Sequence, residues 1–171
     1  MSGDILLETP RLRLSWWTDT AIDELMALHG DAEVMRFLDV EGRLYTREKA
    51  AQRLQDWRQE RDEHGLGKLR LTLREGDIFV GRAGFSPHEG VAEIGYSLCR
   101  EHWGQGYAKE IALGLSDWFF ASRPDDSFIG FAHVDNIASR VVLERIGMTE
   151  THQAEIAGMP HQFYVKHRPS S

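Results

Sequence analysis

A mixed α/β fold of the α+β kind is what this sequence predicts, with a mostly antiparallel sheet and one parallel crossover. Two observations predict it. Strand-like and helix-like runs follow one another in the order β-α-α-β-β-β-α-β-α-β-β. Within that order, Ala92 to Val134 reads as strand, helix, strand, and the helix is long enough to carry a parallel connection. The 171 residues show no repeat, no low-complexity segment and no linker, so residues 1–171 read as one domain with room for a real core.

The elements are justified in turn. "RLRLSW" alternates, with Leu12, Leu14 and Trp16 on one face, and predicts the first strand. "TDTAIDELMALHG" spaces Ile22, Leu25, Met26 and His29 as a helix does, carries Asp23 and Glu24 early, and has Gly30 to end it. A second helix is expected from about Glu48 to Glu63, capped by Thr46, striped by Ala50, Leu54 and Trp57, and stopped by Gly65. Strands follow: Leu69, Leu71 and Leu73 alternate, Gly76-Asp77 turns, and Ile78 and Val80 resume. "VAEIGYSL" sets Ile94, Tyr96 and Leu98 against Glu93, Gly95 and Ser97. Ala108, Ile111, Ala112, Leu115, Trp118 and Phe119 then repeat at helical spacing as far as Pro124. "SFIGFAHV" is a strand, "NIASRVVLERIG" a short helix closed by Gly147, and two last strands are expected over 149–157 and 162–167.

Hydrophobic residues make up 42% and charged residues 27%, an ordinary globular balance that argues against disorder. A net charge of −7 speaks against binding nucleic acid through a broad basic face and suits a cationic partner such as an amine, although much of it serves solubility. No apolar run approaches the ~20 residues of a membrane-spanning helix, and the opening "MSGDILLETP" lacks the pattern of a secretory signal. With a single cysteine, Cys99, a soluble cytoplasmic protein is expected.

The stretch that asks for chemistry is "CREHWGQGYAKEI", where Gly104 and Gly106 stand between a strand and a helix. A helix start exposes unpaired N–H groups and the positive end of the dipole, and glycine lets a ligand approach the backbone. The pair therefore reads as an anion cradle, most often for phosphate. A Walker loop would need Lys and Ser or Thr where Tyr107 and Ala108 stand, and a dinucleotide fingerprint would need a third small residue in place of Lys109. From these residues alone, a strained loop turning into a packed helix remains the other reading.

In "ETPRLRL", "EIGYSLCREHWGQGYAKE" and "NIASRVVLERIGM", in that order and spacing, the chain resembles the GCN5-related N-acetyltransferases (GNAT), and more narrowly their ribosomal-protein-alanine acetyltransferase branch. The resemblance spans nearly the whole chain. It implies the GNAT fold: a central mixed, mostly antiparallel twisted sheet, one splayed parallel strand pair, and helices on both faces. It also implies acetyl-CoA as co-substrate and no metal. In this family the coenzyme A pyrophosphate lies on a Gln/Arg-x-x-Gly-x-Gly/Ala loop, which here is Trp103, Gly104, Gln105, Gly106, Tyr107 and Ala108, with Trp103 replacing the Gln or Arg as it commonly does in this branch. The pantetheine arm is expected to pair with the backbone near Tyr96, Ser97 and Leu98, and Asn136 to touch the pantetheine amide. Many members carry a tyrosine acid where this chain has Leu143; Ser139 stands at the alanine position, as in the branch.

Acetyl transfer needs a neutral amine, whereas free amines have pKa values of roughly 8 to 10.4. A base or proton relay is therefore useful. Glu93 is the first candidate, since it opens the cofactor strand on the face of Gly95 and Ser97; a solvated strand carboxylate is the plainer alternative. A backbone N–H near Leu98 is expected to stabilise charge on the thioester oxygen. Ser139, or water that it holds, would protonate the leaving thiolate; a hydroxyl bonded back to its own helix is the structural alternative. His133 is a second base candidate, or an ordinary strand-end histidine. The eight histidines show no metal-ligand spacing. Cys99 is expected to be a small buried filler, and Trp16, Trp17 and Trp57 core residues rather than an acceptor pocket.

The expected activity is transfer of acetyl to a primary amine, either a protein α-amine or a small molecule, with no nucleic-acid or membrane partner. The resemblance allows a homodimer, since dimers are common among such proteins. The alternative is a catalytically silent acyl-CoA sensor or docking module, which would keep the glycine loop and Asn136 but need neither Glu93 nor Ser139.

Overall fold

The computed structural model describes residues 3–170. Eight strands form one sheet in the order β1-β2-β3-β4-β5-β6-β8-β7. They are β1 (Ile5–Glu8), β2 (Leu12–Ser15), β3 (Gly67–Leu73), β4 (Phe79–His88), β5 (Val91–Leu98), β6 (Ser127–His133), β7 (Thr149–Ile156) and β8 (Met159–His167). Every neighbouring pair is antiparallel except β5–β6, which is parallel. The helices are α1 (Ala21–His29), α2 (Ala32–Met35), α3 (Arg47–His64), α4 (Tyr107–Ser122) and α5 (Ile137–Arg145).

The helical stripes land where their spacing puts them. Ile111, Ala112, Leu115 and Phe119 of α4 are buried on one face of the sheet, against Leu12, Leu14, Leu69, Leu71, Ile94 and Phe128. Ala50, Leu54 and Trp57 of α3 meet Ala21 and Leu25 of α1 in a second apolar cluster, where Trp17 stacks on Trp57 at 5.8 Å. Trp17 and Trp57 thus serve this cluster, and Trp16 packs against the larger one. Thr46 caps α3 by accepting from the Lys49 N–H at 3.1 Å, and Gly65 ends it at φ +68°.

Four expectations need correction. A strand, β1, precedes the one read as first, and α2 was missed; each is four residues long, too short for a periodic signal. Ile78 does not share a face with Val80 inside a strand: β4 begins at Phe79, and Ile78 is half exposed while Val80 is buried. The last strand begins at Met159, because Ala157 and Gly158, both at positive φ, make a tight hairpin turn.

Candidate active site

The parallel pair β5–β6 is in register only at Glu93–Ile129 and Ile94–Gly130. Beyond Ile94 the two strands part, while β5 stays paired to β4 as far as Leu98. The Cys99 N–H donates to Val80 of the β4 side, so by alternation the backbone edges of Tyr96 and Leu98 face the gap. A strand edge with unclaimed N–H and C=O groups is a template for an extended ligand. The Leu98 carbonyl is already taken, because the Trp103 indole N–H donates to it at 2.8 Å.

This gap opens into a cleft of about 730 Å³, a size that suits a cofactor-scale ligand. Tyr96, Ser97 and Leu98 form one wall, Asn136 and Ser139 the opposite one, and Trp103, Gly104, Gly106, Tyr107 and Ala108 one end. The cleft therefore joins nearly all the residues expected to hold the cofactor. Gln105 and Glu93 do not line it. The α2 region, through Glu33, Val34 and Phe37, closes a further side; no motif marked it in the sequence.

The glycine loop has the geometry of a cradle. Gly104 and Gly106 stand at φ +75° and +80°, a left-handed region that favours glycine, and Gly106 is the residue before the first turn of α4. No side chain caps that helix, so its first N–H groups face outward. A Cβ at Gly104 would meet nothing, so the glycine keeps the approach to the backbone open.

A second observation explains what keeps the loop in place. The Arg11 Nε donates to Glu110 at 2.7 Å and its Nη1 to the Gln105 carbonyl at 3.0 Å, while the guanidinium lies 4.5 Å from the centre of the Tyr107 ring. The backbone N–H of Arg11 and the Thr9 hydroxyl also donate to Glu110. The "ETPRL" segment is thus a clamp on the loop and on the first turn of α4. Sequence reasoning missed it because the partners are 99 positions apart.

Across the cleft, the Asn136 side chain caps α5, its Oδ1 accepting from the Ser139 N–H at 3.2 Å and leaving its amide group for other partners. The Ser139 Oγ lies 3.2 Å from the Tyr96 hydroxyl. Burial pushes the Tyr96 phenol up to about 12, partly offset by the Ser139 bond, so it holds its proton at neutral pH. No motif exposed this pair, since Tyr96 was expected to serve the pantetheine arm through its backbone and its hydroxyl was given no role.

Glu93 is buried, and its carboxylate lies 3.3 Å from the Lys68 ammonium, which also donates to Ser86. A Cβ at Gly95 would come within 2.8 Å of the Lys68 side chain, so that glycine makes room for the pair. The Nδ1 of His133 accepts from the Asp135 N–H at 3.1 Å and its ring packs on Phe37, which leaves Nε2 as the ring's donor. Burial raises the Cys99 thiol to about 11, which keeps it out of the thiolate form.

Comparison with known proteins agrees with this geometry. A family model described as the acetyltransferase (GNAT) domain matches residues 11–149. The uncharacterized protein YkkB of Bacillus subtilis (strain 168) is 33% identical over 157 residues, covering 86% of this chain and 87% of its own length. The uncharacterized N-acetyltransferase YoaA of the same organism is 27% identical over 145 residues, covering 83% and 81%. Among solved structures, RimL, the ribosomal L7/L12 alpha-N-protein acetyltransferase in complex with coenzyme A, superposes with a TM-score of 0.82 at 19% identity, over 96% of this chain and 98% of that one. The splayed strand pair, the glycine loop at the head of α4 and a family match spanning most of the sequence lead to one conclusion: the chain belongs to the GNAT acetyltransferase family.

Proposed function

We propose that the protein is an acetyl-CoA-dependent N-acetyltransferase that acetylates a primary amine by direct attack in a ternary complex. The observation that carries this reading is the cleft itself, which joins an open glycine loop, a strand edge whose Leu98 carbonyl alone is claimed, by the Trp103 indole, and a hydroxyl pair in one continuous space. A reducing cytoplasm suits the single cysteine.

Backbone N–H groups from Gly104 to Ala108 hold the pyrophosphate, with the α4 dipole behind them. The Tyr96–Leu98 edge and the Asn136 amide group align the pantetheine arm. Acetyl-CoA supplies the acetyl group as a thioester. The Leu98 N–H, facing the gap, is a donor for the thioester oxygen as it gains charge. Ser139 and Tyr96 both keep their protons at neutral pH; Ser139 gives one to the departing thiolate, and Tyr96, 3.2 Å away, passes Ser139 a replacement that the phenol regains from solvent water. Glu93, already engaged by Lys68, serves the amine at one remove, receiving its proton through water.

The test is release of coenzyme A from acetyl-CoA in the presence of a broad panel of amines. Release with at least one amine, in step with acetylated product, supports the reading. Tight binding of acetyl-CoA with no release for any amine contradicts it and favours the silent sensor.

A further inference from the structure

Three cationic side chains are buried on the sheet face that α1 and α3 cover: Lys68, Arg70 and Arg82. Two of them are neutralised. Lys68 has Glu93 at 3.3 Å. Arg70 grips Glu24 at 2.8 to 3.0 Å and reaches Asp77 at 3.3 Å. Arg82, only 8% exposed, has no carboxylate within ion-pair distance among the described residues. Its single hydrogen bond runs from Nε to the Nε2 of His29 at 3.1 Å. That histidine supplies no counter-charge. Burial, with Arg82 and Arg53 nearby, lowers it to about 2, and its other nitrogen faces the Met35 sulfur at 3.3 Å.

The Nη1 and Nη2 groups of Arg82 donate to no protein atom among the described residues, yet neither is among the unpartnered side-chain atoms fully sealed from solvent. A buried guanidinium with an open fork and no anion is unfavourable, and such a group calls for a missing partner. Its location says what kind. Arg82 is the cross-strand partner of Ser97, so the two share a face of the sheet, and Ser97 lines the cleft. On its other side, Arg82 is held through His29 by Met35 of α2, whose neighbours Val34 and Phe37 also line the cleft. The fork thus lies on the α1–α3 face of the sheet, one strand in from the splayed edge and 5.6 Å from the centre of the Trp57 ring, on the opposite face of β5 from Tyr96 and its partner Ser139.

We propose that Arg82 binds an anionic group on the acceptor, so that the amine acetylated here also carries a carboxylate, as an amino acid or an acidic peptide does. The inference rests on the N-acetyltransferase reading above. The two open N–H edges match a carboxylate bidentately, and the neutral His29 holds the fork by its third edge without competing for the charge. It also reconciles an acidic protein with a substrate that is more than a cation: the charges of Lys68 and Arg70 are spent within the fold, and that of Arg82 is not.

Two arms test it. In crystals soaked with sodium bromide, an anomalous peak is expected within hydrogen-bonding distance of the Arg82 Nη atoms. Ordered water alone at those atoms, with bromide bound elsewhere on the surface, overturns the proposal. In the second arm, coenzyme A release is compared for matched acceptors, each with a free carboxylate or the corresponding carboxamide. The wild type is expected to prefer the free acid by at least about 10-fold in kcat/KM. R82Q is expected to lose the preference while calorimetric binding of coenzyme A stays within about twofold, because no step of cofactor binding touches Arg82. R82K, which keeps the buried charge, guards against a folding failure of R82Q and should retain part of the preference. Equal rates for acid and amide in the wild type, or a preference that survives R82Q, overturns the proposal. A wild type that binds no coenzyme A refutes the acetyltransferase reading instead, and the bromide arm still decides whether Arg82 is an anion site.

Discussion

Arg11→Ala removes the side chain that ties the start of β2 to the glycine loop. Three contacts disappear: the 2.7 Å bond to Glu110, the 3.0 Å bond to the Gln105 carbonyl, and the packing on Tyr107. The Arg11 side chain is 47% exposed, so the ion pair is discounted for solvent screening and is worth about 0.5 kcal/mol. The guanidinium over the ring adds about 0.5 kcal/mol at such a site, and the charged donor to the carbonyl about 1 kcal/mol. These terms overlap, and a total of about 1.5–2 kcal/mol corresponds to a drop of roughly 3–8 °C in Tm for a domain of this size. Much of the loss falls on a loop whose two glycines are otherwise free to leave the left-handed conformation, and each 1.4 kcal/mol spent on reordering it weakens coenzyme A binding about tenfold. Thermal unfolding and calorimetric titration of wild type, R11A, E110Q and the double variant measure both effects. The double variant should cost less than the two single ones added, because they share the clamp. An R11A protein of lowered Tm that binds coenzyme A as tightly as the wild type would refute the claim that the clamp orders the cradle.

Other outcomes follow from the same geometry. Gly106→Val forces a branched side chain into φ +80° and toward Arg11, and should cost about 1–2 kcal/mol in stability, along with most coenzyme A affinity in the same titration. Ser139→Ala and Tyr96→Phe should each lower kcat by about 10- to 100-fold with little change in coenzyme A affinity; equal losses in the single and double variants would identify them as one relay. Glu93→Gln strands the buried Lys68 ammonium and should destabilise the fold by about 3 kcal/mol in urea unfolding, with Glu93→Gln/Lys68→Met recovering part of it. In Glu110, burial raises the carboxyl but the Thr9 and Arg11 bonds outweigh it, so its pKa lies below the ordinary value. The stability it contributes is therefore complete above the ordinary carboxylate range and is lost as pH falls through the lowered folded value. An acid unfolding series on wild type and E110Q should converge at the low end.

What could be read in the sequence was local or periodic. The α4 stripe from Ala108 to Phe119, the Thr46 cap and the glycine pair each state a backbone requirement within a few residues. Partners brought together by topology left no such mark: Arg11 with Glu110, Tyr96 with Ser139, and Arg82 with His29. The alternation of Leu69 and Leu71 with Lys68 and Arg70 is also the pattern of a strand with one wet face. Here α1 and α3 cover that face, and carboxylates from α1 and β5 neutralise two of its cations. Glu93 looked like a free carboxylate for the same reason, since nothing near it in the chain announces Lys68.

Thermal unfolding with acetyl-CoA, with ATP and NAD as controls, tests the central claim most directly. At about 100 times its dissociation constant, a ligand that binds only the folded protein adds about 2.7 kcal/mol, or a rise of roughly 5–10 °C at this size. The glycine-loop cleft predicts that rise with acetyl-CoA and none with ATP or NAD. No shift at millimolar acetyl-CoA, or equal shifts with all three, would contradict it.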